Sequence, residues 1–169
     1  MKEPHSIIEP IEADAFMAAV MREFTADAQL AELALTRATT DPVRTMAMHI
    51  SDDCKRALLD IARIATRKNL PLAERPDTNE AWLLQRMREM AGVDFDYAYI
   101  DRISIRHRLE VKLLKRGQTI KNPVISALAS RLLAVVEARA RLSRHLSEGR
   151  DSLIAGEARG SSASNPPSL

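Results

Sequence analysis

Two dipeptides, Asp41-Pro42 and Asn122-Pro123, constrain the fold more than any other feature of this sequence, because each places a helix-capping residue directly before proline. An Asp or Asn side chain can accept hydrogen bonds from the free amides of a first helical turn. Proline is tolerated there because its missing N–H would have no partner within the helix. New helices are therefore predicted to begin at about Pro42 and Pro123.

Apolar residues spaced three and four apart predict four long helices and one short helix. These are expected over residues 13–38, 42–68, 78–91, 94–116 and 123 to about 146, with the last continuing toward 155. Two prolines mark residues 69–77 as a loop, and glycines end the third and fourth helices. Residues 1–12 are expected to form an N-terminal extension, 13–155 the folded domain and 156–169, rich in Gly, Ser and Pro, a disordered tail.

This order of elements predicts an all-α fold, an antiparallel four-helix bundle of the ferritin-like kind. Two long α-hairpins are joined by a crossover that contains the short helix, whereas simple up-and-down bundles use short loops throughout. The composition agrees with this fold class, since only five glycines and 4% aromatic residues favour helix over sheet.

Charge and composition exclude several classes of protein. The formal net charge of +2 gives no general case for binding nucleic acid, and the single cysteine excludes an intramolecular disulfide framework. No stretch approaches the roughly 20 apolar residues of a membrane-spanning helix. The first residues also lack a basic segment followed by an apolar core, so no export signal is recognised. We therefore expect a cytoplasmic protein with no membrane association.

Each long helix carries one chemically functional residue within its apolar stripe: Asp27, Cys54, His107 and Arg139. Counted from the two proline turns, the members of each hairpin pair differ in position by at most two residues. At a rise of about 1.5 Å per residue, they lie within roughly 3 Å of the same height. The four side chains are therefore predicted to form one buried polar layer, where helical bundles build metal and cofactor sites.

Two interpretations of this layer remain open. Asp27, Cys54 and His107 offer oxygen, sulfur and nitrogen ligands, a set that suits a transition metal such as zinc or copper. Arg139 argues against a cation, because a guanidinium stays charged and cannot coordinate. In the favoured interpretation Arg139 pairs with Asp27, with Glu23 or Asp53 as a further partner, while His107 and Cys54 are core residues. No cofactor is then expected.

Three segments resemble one family: residues 50–55 (Ile-Ser-Asp-Asp-Cys-Lys), 69–72 (Asn-Leu-Pro-Leu) and 95–100 (Phe-Asp-x-x-Tyr-Ile). Over roughly residues 15–146 the chain resembles the family catalogued as domain of unknown function 4142. The resemblance implies a ferritin-like, mostly bacterial and often exported protein without an established activity.

The usual polar pattern of that family has an acid in the first helix, an Asp-His pair in each of the second and fourth helices, and a His in the last helix. The matching positions here are Asp27, Asp53-Cys54, Arg106-His107 and Arg139. Two of the three histidines are thus replaced, and the resemblance alone implies no metal site.

We expect a non-catalytic helical bundle with a degenerate ferritin-like site that binds a partner or a small ligand, with a homodimer as one form. Di-iron chemistry is disfavoured because the chain contains no Glu-x-x-His. The alternative function is metal binding or redox chemistry at Asp27, Cys54 and His107. A weaker alternative, nucleic-acid association, rests on the basic residues of segment 102–116: Arg102, Arg106, Arg108, Lys112, Lys115 and Arg116.

Overall fold

The structure, a computed structural model, describes residues 11–72 and 78–161. Within these ranges the chain forms five α-helices and no strand, which confirms the predicted all-α class. The helices are α1 (Ala13–Arg37), α2 (Asp41–Lys68), α3 (Thr78–Arg88), α4 (Gly92–Gly117) and α5 (Pro123–Ser161).

The helix bounds follow the prediction to within one residue except at three ends. α3 ends at residue 88 rather than 91, and α4 begins at Gly92, whose φ of +62° turns the chain sharply between the two helices. α5 continues to Ser161, so residues 156–161, predicted as the start of a disordered tail, are helical. The predicted extension over 1–10, loop residues 73–77 and tail residues 162–169 lie outside the described residues.

A tertiary contact supports the continuation of α5 beyond residue 146. The Arg150 guanidinium lies 2.5 Å from the carboxylate of Asp101 and over the ring of Tyr97, 5.7 Å from its centroid. Both partners belong to α4, and together they fix α5 against the first turns of that helix.

The two predicted caps differ in outcome. Asn122 caps α5 as expected, since its Oδ1 accepts hydrogen bonds from the amides of Val124 (3.1 Å) and Ile125 (3.3 Å). Asp41 does not cap α2, because it lies inside the first turn and its carboxylate pairs with Arg44 at 2.7 Å.

The four long helices enclose one apolar core. α1 packs along α2 and α4 along α5, while α1 also packs against α4, α2 against α5 and α3 against α1. Side chains from all four long helices are buried in this core, among them Phe16, Val20, Ile50, Ile61, Ile103, Leu114 and Leu128. None of the described helices is long and apolar enough to cross a membrane.

α1 and α4 contact each other at two places, one near each end, and these contacts position the two helices against each other. Near one end, the connection after α1 is hydrogen-bonded to Asp96 in the first turns of α4. Near the other, the Phe16 ring lies against Gly117, the last residue of α4, where a Cβ atom would be only 2.3 Å from the ring. The glycine therefore permits a close approach of the two helices.

The buried face of α5 departs from the apolar stripe of Arg139 at two positions. Spacings of four and three residues from Arg139 would bury Val135 and Leu142, whereas the structure buries Val136 and Ser143 and leaves Leu142 39% exposed. Asp27 is buried within the apolar stripe of α1, as predicted.

Candidate functional site: a buried polar layer

The structure buries all four side chains that the sequence placed in one layer. Asp27, Cys54 and His107 have no exposed surface, and Arg139 is 4% exposed. Arg139 lies between two of them, with Nη1 3.6 Å from Asp27 Oδ2 and Nη2 3.6 Å from Cys54 Sγ. The fourth residue, His107, approaches Asp27 from α4.

Arg139 has the partners that the favoured interpretation named, except one. Besides Asp27, its Nε donates to Asp53 Oδ2 at 3.3 Å, and its guanidinium stands 5.5 Å from the centroid of the Phe24 ring. Glu23, the other predicted partner, pairs with a different arginine, Arg106.

Arg106 is the residue of the layer whose role the sequence did not indicate. It is almost fully buried, and its Nε donates to Asp27 Oδ1. Nη2 lies 3.1 Å from Glu23 Oε2, and Nη1 lies 3.3 Å from Glu80 Oε2 on α3. The two oxygens of Asp27 therefore face two different guanidiniums.

Glu110 is the second residue that sequence reasoning missed. It is 1% exposed, and neither of its oxygens reaches a hydrogen-bond donor among the described residues. One ligand atom each from Asp27, His107 and Glu110 lies within 4.8 Å of the others, and Cys54 is not part of this group. Residues three apart share a helix face, so the spacing of His107 and Glu110 is the sequence pattern that could have revealed it.

Burial determines the protonation of these groups. It lowers the pKa of His107 to about 4, so the imidazole is neutral at neutral pH and keeps a free lone pair. Burial, reinforced by the negative charge of Asp27, raises the pKa of Glu110 well above its usual range. Burial also raises the pKa of the Cys54 thiol to about 12, although the charge of Arg139 acts against this shift. Cys54 is therefore a neutral thiol.

The charges of the buried layer do not balance. Three buried carboxylates, those of Asp27, Glu80 and Glu110, face the two buried guanidiniums of Arg106 and Arg139. With a neutral imidazole, the layer is one positive charge short when every carboxylate is ionised. Both ring nitrogens of His107 also lack a hydrogen-bond partner among the described residues. A proton or a bound cation can supply the missing charge.

The basic segment of α4 is divided between this layer and solvent. Arg106 is buried, and Arg102 lies 2.6 Å from Glu80, so both interact with the acids of the layer. Arg108, Lys112 and Lys115 remain exposed. The surface available for the predicted nucleic-acid alternative is correspondingly smaller than the sequence indicated.

The fold and this layer define an all-α domain with an acid, imidazole and guanidinium cluster in its core. Residues 8–146 match the family model of domain of unknown function 4142 (DUF4142), and the chain belongs to that family. Among curated proteins, none matches the chain.

Three solved structures are similar to the fold. A DUF305 fragment from Deinococcus radiodurans has a TM-score of 0.72 and 14% identity, covering 82% of this chain and 97% of that chain. CopM in its Cu(I)-bound form has a TM-score of 0.70 and 15% identity, with the same two coverages. A DUF305 protein from Streptomyces coelicolor, described as a candidate secreted protein, has a TM-score of 0.71 and 18% identity, covering 82% and 92%. At these identities the likeness shows the fold alone.

Proposed function

We propose that this domain is a non-catalytic metal-binding protein that holds one transition-metal ion, zinc or copper, through Asp27, His107 and Glu110. The observation that carries the proposal is the meeting of their ligand atoms within 4.8 Å in a fully buried layer. Leaving a buried polar group without a hydrogen bond costs about 1–3 kcal/mol. A bound cation would offset that cost at the imidazole and at the Glu110 carboxylate.

The ligand chemistry fits a transition metal of borderline softness. Imidazole suits zinc and copper, and carboxylates complete such sites. His107 is neutral at physiological pH, so its lone pair is free to coordinate. Glu110 takes the place that the sequence suggested for Cys54, whose neutral thiol lies beside the Arg139 guanidinium instead.

Binding requires the three side chains to draw together. Zinc holds nitrogen and oxygen ligands at about 2.0–2.2 Å, which places tetrahedral ligand atoms roughly 3.4 Å from each other. The 4.8 Å limit of the present arrangement is wider than that. The Asp27 carboxylate in particular must rotate away from Arg106 or Arg139, which its two oxygens now face, to reach an ion.

The two guanidiniums oppose a cation, and the acids of the layer compensate for them. Three buried carboxylates face two buried guanidiniums. Glu23 and Asp53, each about one-quarter exposed, add negative charge at the rim of the layer. These five carboxylates supply enough negative charge for a divalent ion beside Arg106 and Arg139.

A structural neighbour adds indirect support. CopM, whose fold is similar to this one, has been solved with Cu(I) bound. A helical fold of this kind can therefore carry a metal ion, although the ligands proposed here are particular to this chain.

We also propose that the four long helices form an antiparallel bundle of the ferritin-like type. In support, the start of α1 contacts the end of α4, and the residues after α1 contact the start of α4. Likewise, Gln118 after α4 bonds to Ser130 early in α5, and Arg150 late in α5 pairs with Asp101 early in α4. The homodimer and the cytoplasmic location expected from the sequence stay predictions.

Metal analysis of the purified chain tests the site. Metal-free protein is dialysed against limiting Zn²⁺, and separately against Cu²⁺ or anaerobic Cu⁺, and the bound metal is measured by elemental analysis. We expect one ion per chain in the wild type and loss of it in His107→Ala and Glu110→Gln. His49→Ala, which removes an exposed histidine of α2, is the matched control and should keep the ion. Equal metal in His107→Ala and the wild type would place binding elsewhere and overturn the proposal.

A further inference from the structure

We infer that Arg106 is a displaceable cation: it withdraws from Asp27 toward Glu23 and Glu80 when the metal ion binds, and its withdrawal tightens the docking of α3. This inference rests on the proposed metal site and adds a means of regulating it. Its basis is the set of contacts that Arg106 makes on the two sides of its guanidinium.

The inner contact of Arg106 occupies a ligand atom. Its Nε donates to Asp27 Oδ1, while Arg139 lies 3.6 Å from Oδ2 of the same carboxylate. Asp27 is therefore engaged on both oxygens in the metal-free protein. An ion at this carboxylate must take the place of at least one guanidinium.

The outer contacts of Arg106 show which guanidinium can leave. Nη2 lies 3.1 Å from the Glu23 carboxylate and donates to the Glu23 carbonyl at 2.7 Å, while Nη1 lies 3.3 Å from Glu80 of α3. An arginine that withdraws from Asp27 toward these acids keeps ionic partners and is not stranded in the core.

Arg139 has less freedom to leave. Its guanidinium lies over the Phe24 ring and contacts the Ile50 carbonyl and the Cys54 sulfur, with Asp53 as its outer acid. Apart from Asp27, its one acidic partner among the described residues is Asp53, so Arg139 would keep fewer ionic partners than Arg106 if it left Asp27.

After this exchange every charge keeps a partner. The ion lies among Asp27, His107 and Glu110, Arg139 keeps Asp53, and Arg106 keeps Glu23 and Glu80. Buried charges persist when they are paired.

Displacement of Arg106 acts on α3 through Glu80. This residue lies in the first turn of α3, is buried, and bridges Arg106 and Arg102 of α4. Moving the guanidinium away from Asp27 and toward Glu80 strengthens one side of that bridge, so metal binding and the docking of α3 favour each other. Such coupling is reciprocal: whatever weakens the hold of Arg106 on Asp27 strengthens metal binding.

Zinc titration of two matched arginine variants tests the inference. Arg106→Gln removes the contact to Asp27, whereas Arg102→Gln removes a contact to the same Glu80 without touching Asp27. We expect Arg106→Gln to bind Zn²⁺ about tenfold more tightly than the wild type, and Arg102→Gln to differ little. A wild type that binds zinc and an Arg106→Gln variant that binds it no more tightly would overturn the inference. Absence of zinc from the wild type would overturn the metal function itself.

Amide hydrogen exchange in the wild type gives a second test that does not depend on a variant. Adding Zn²⁺ should slow exchange in α3, because Arg106 then pairs more closely with Glu80. Exchange in the core of α4 should also slow, since His107 and Glu110 become tied to the ion. Unchanged or faster exchange in α3 with zinc bound would contradict the displacement of Arg106.

Discussion

Thr40 donates both its backbone amide and its hydroxyl to one oxygen of Asp96, at 2.9 and 2.7 Å. Thr39 donates its amide to the other oxygen, at 2.9 Å, and its hydroxyl to the same oxygen as Thr40, at 3.1 Å. A carboxylate of α4 thus satisfies the free donors of the connection between α1 and α2. Phe95 and Tyr99, buried and stacked with ring centroids 6.3 Å apart, flank this acid and hold it in position.

Asp96→Asn should destabilise the fold by about 1–3 kcal/mol. The amide keeps the shape of the carboxylate but has one acceptor oxygen, so donors of Thr39 and Thr40 lose their partner. Equilibrium urea denaturation measures the change. Asp94→Asn is the control, because this exposed acid in the same first turn contributes only a dipole interaction of about 0.3–1 kcal/mol. Equal losses in the two variants would show that the four hydrogen bonds contribute no stability.

Gly117→Ala should destabilise the fold by about 1–3 kcal/mol, the usual cost of overpacking. The new methyl group would lie 2.3 Å from two atoms of the fully buried Phe16 ring and 2.9 Å from Ala129 Cβ. Gly149→Ala is the matched control, since nothing lies within 4 Å of its Cβ position. There the change should stabilise α5 by roughly 0.5–1 kcal/mol. Thermal unfolding of both variants distinguishes the effects, and a neutral Gly117→Ala would contradict the close approach.

A double-mutant cycle on Asp27 and Arg106 should reveal strong coupling. Asp27→Leu or Arg106→Met alone leaves buried charge without its partner and should cost about 3–5 kcal/mol. The double variant should lose less than the sum of the two by about 1–3 kcal/mol. The exposed pair Asp60 and Arg63, 3.4 Å apart, gives a control cycle with coupling below about 0.5 kcal/mol. Additive losses at the buried pair would show that the two side chains do not stabilise each other.

Cys54 should resist alkylation in the folded protein. The thiol has no exposed surface, and burial raises its pKa to about 12 from an ordinary value of 9.0. Iodoacetamide at pH 8 should modify it slowly in buffer and rapidly in urea, as mass spectrometry would show. In a Cys54→Ala background, Ser152→Cys supplies an exposed thiol on α5 that should react at once. Equally fast labelling at both positions would show that the layer is open to solvent.

The raised pKa of Cys54 also determines the direction in which the stability of the fold changes with pH. The folded thiol binds its proton more tightly than the unfolded thiol, since its pKa of about 12 exceeds 9.0. The contribution of Cys54 to the free energy of unfolding is therefore complete below pH 9 and is lost as the pH rises toward 12. Cys54→Ala should flatten this alkaline loss relative to the wild type.

Local sequence patterns were sufficient to predict the positions of the helices, because apolar spacing and proline-linked caps depend only on residues that are close in the chain. Asn122 acts as the predicted cap for that reason. Asp41 does not, because the donors before α2 are satisfied by Asp96, which is more than fifty residues away in the chain. The continuation of α5 beyond residue 146 likewise depends on a distant residue, since Arg150 is anchored by Asp101 of another helix.

The buried polar layer was only partly predictable from the sequence, because a single apolar stripe on each helix accounts for packing against only one neighbouring helix. α4 packs against both α1 and α5, so its buried face is wider than a single row of residues. Ile103 and His107 lie on the predicted row, whereas Arg106 and Glu110 lie beside it and are equally buried. Charged residues next to a stripe usually face solvent, and only the packing of α1 and α3 over these two reveals their role.

Gly117 has an effect at a distance from its own contact. Asp27 follows Phe16 by eleven residues on α1, and Arg106 precedes Gly117 by eleven on α4, so the two contacts lie on matching faces roughly 16 Å apart. Because Gly117 has no side chain, Phe16 can lie directly against the backbone of α4, and this contact sets the distance between the two helix axes along this length. The distance between Asp27 and the polar residues of α4 that face it is therefore adjusted by a residue that bears no functional group.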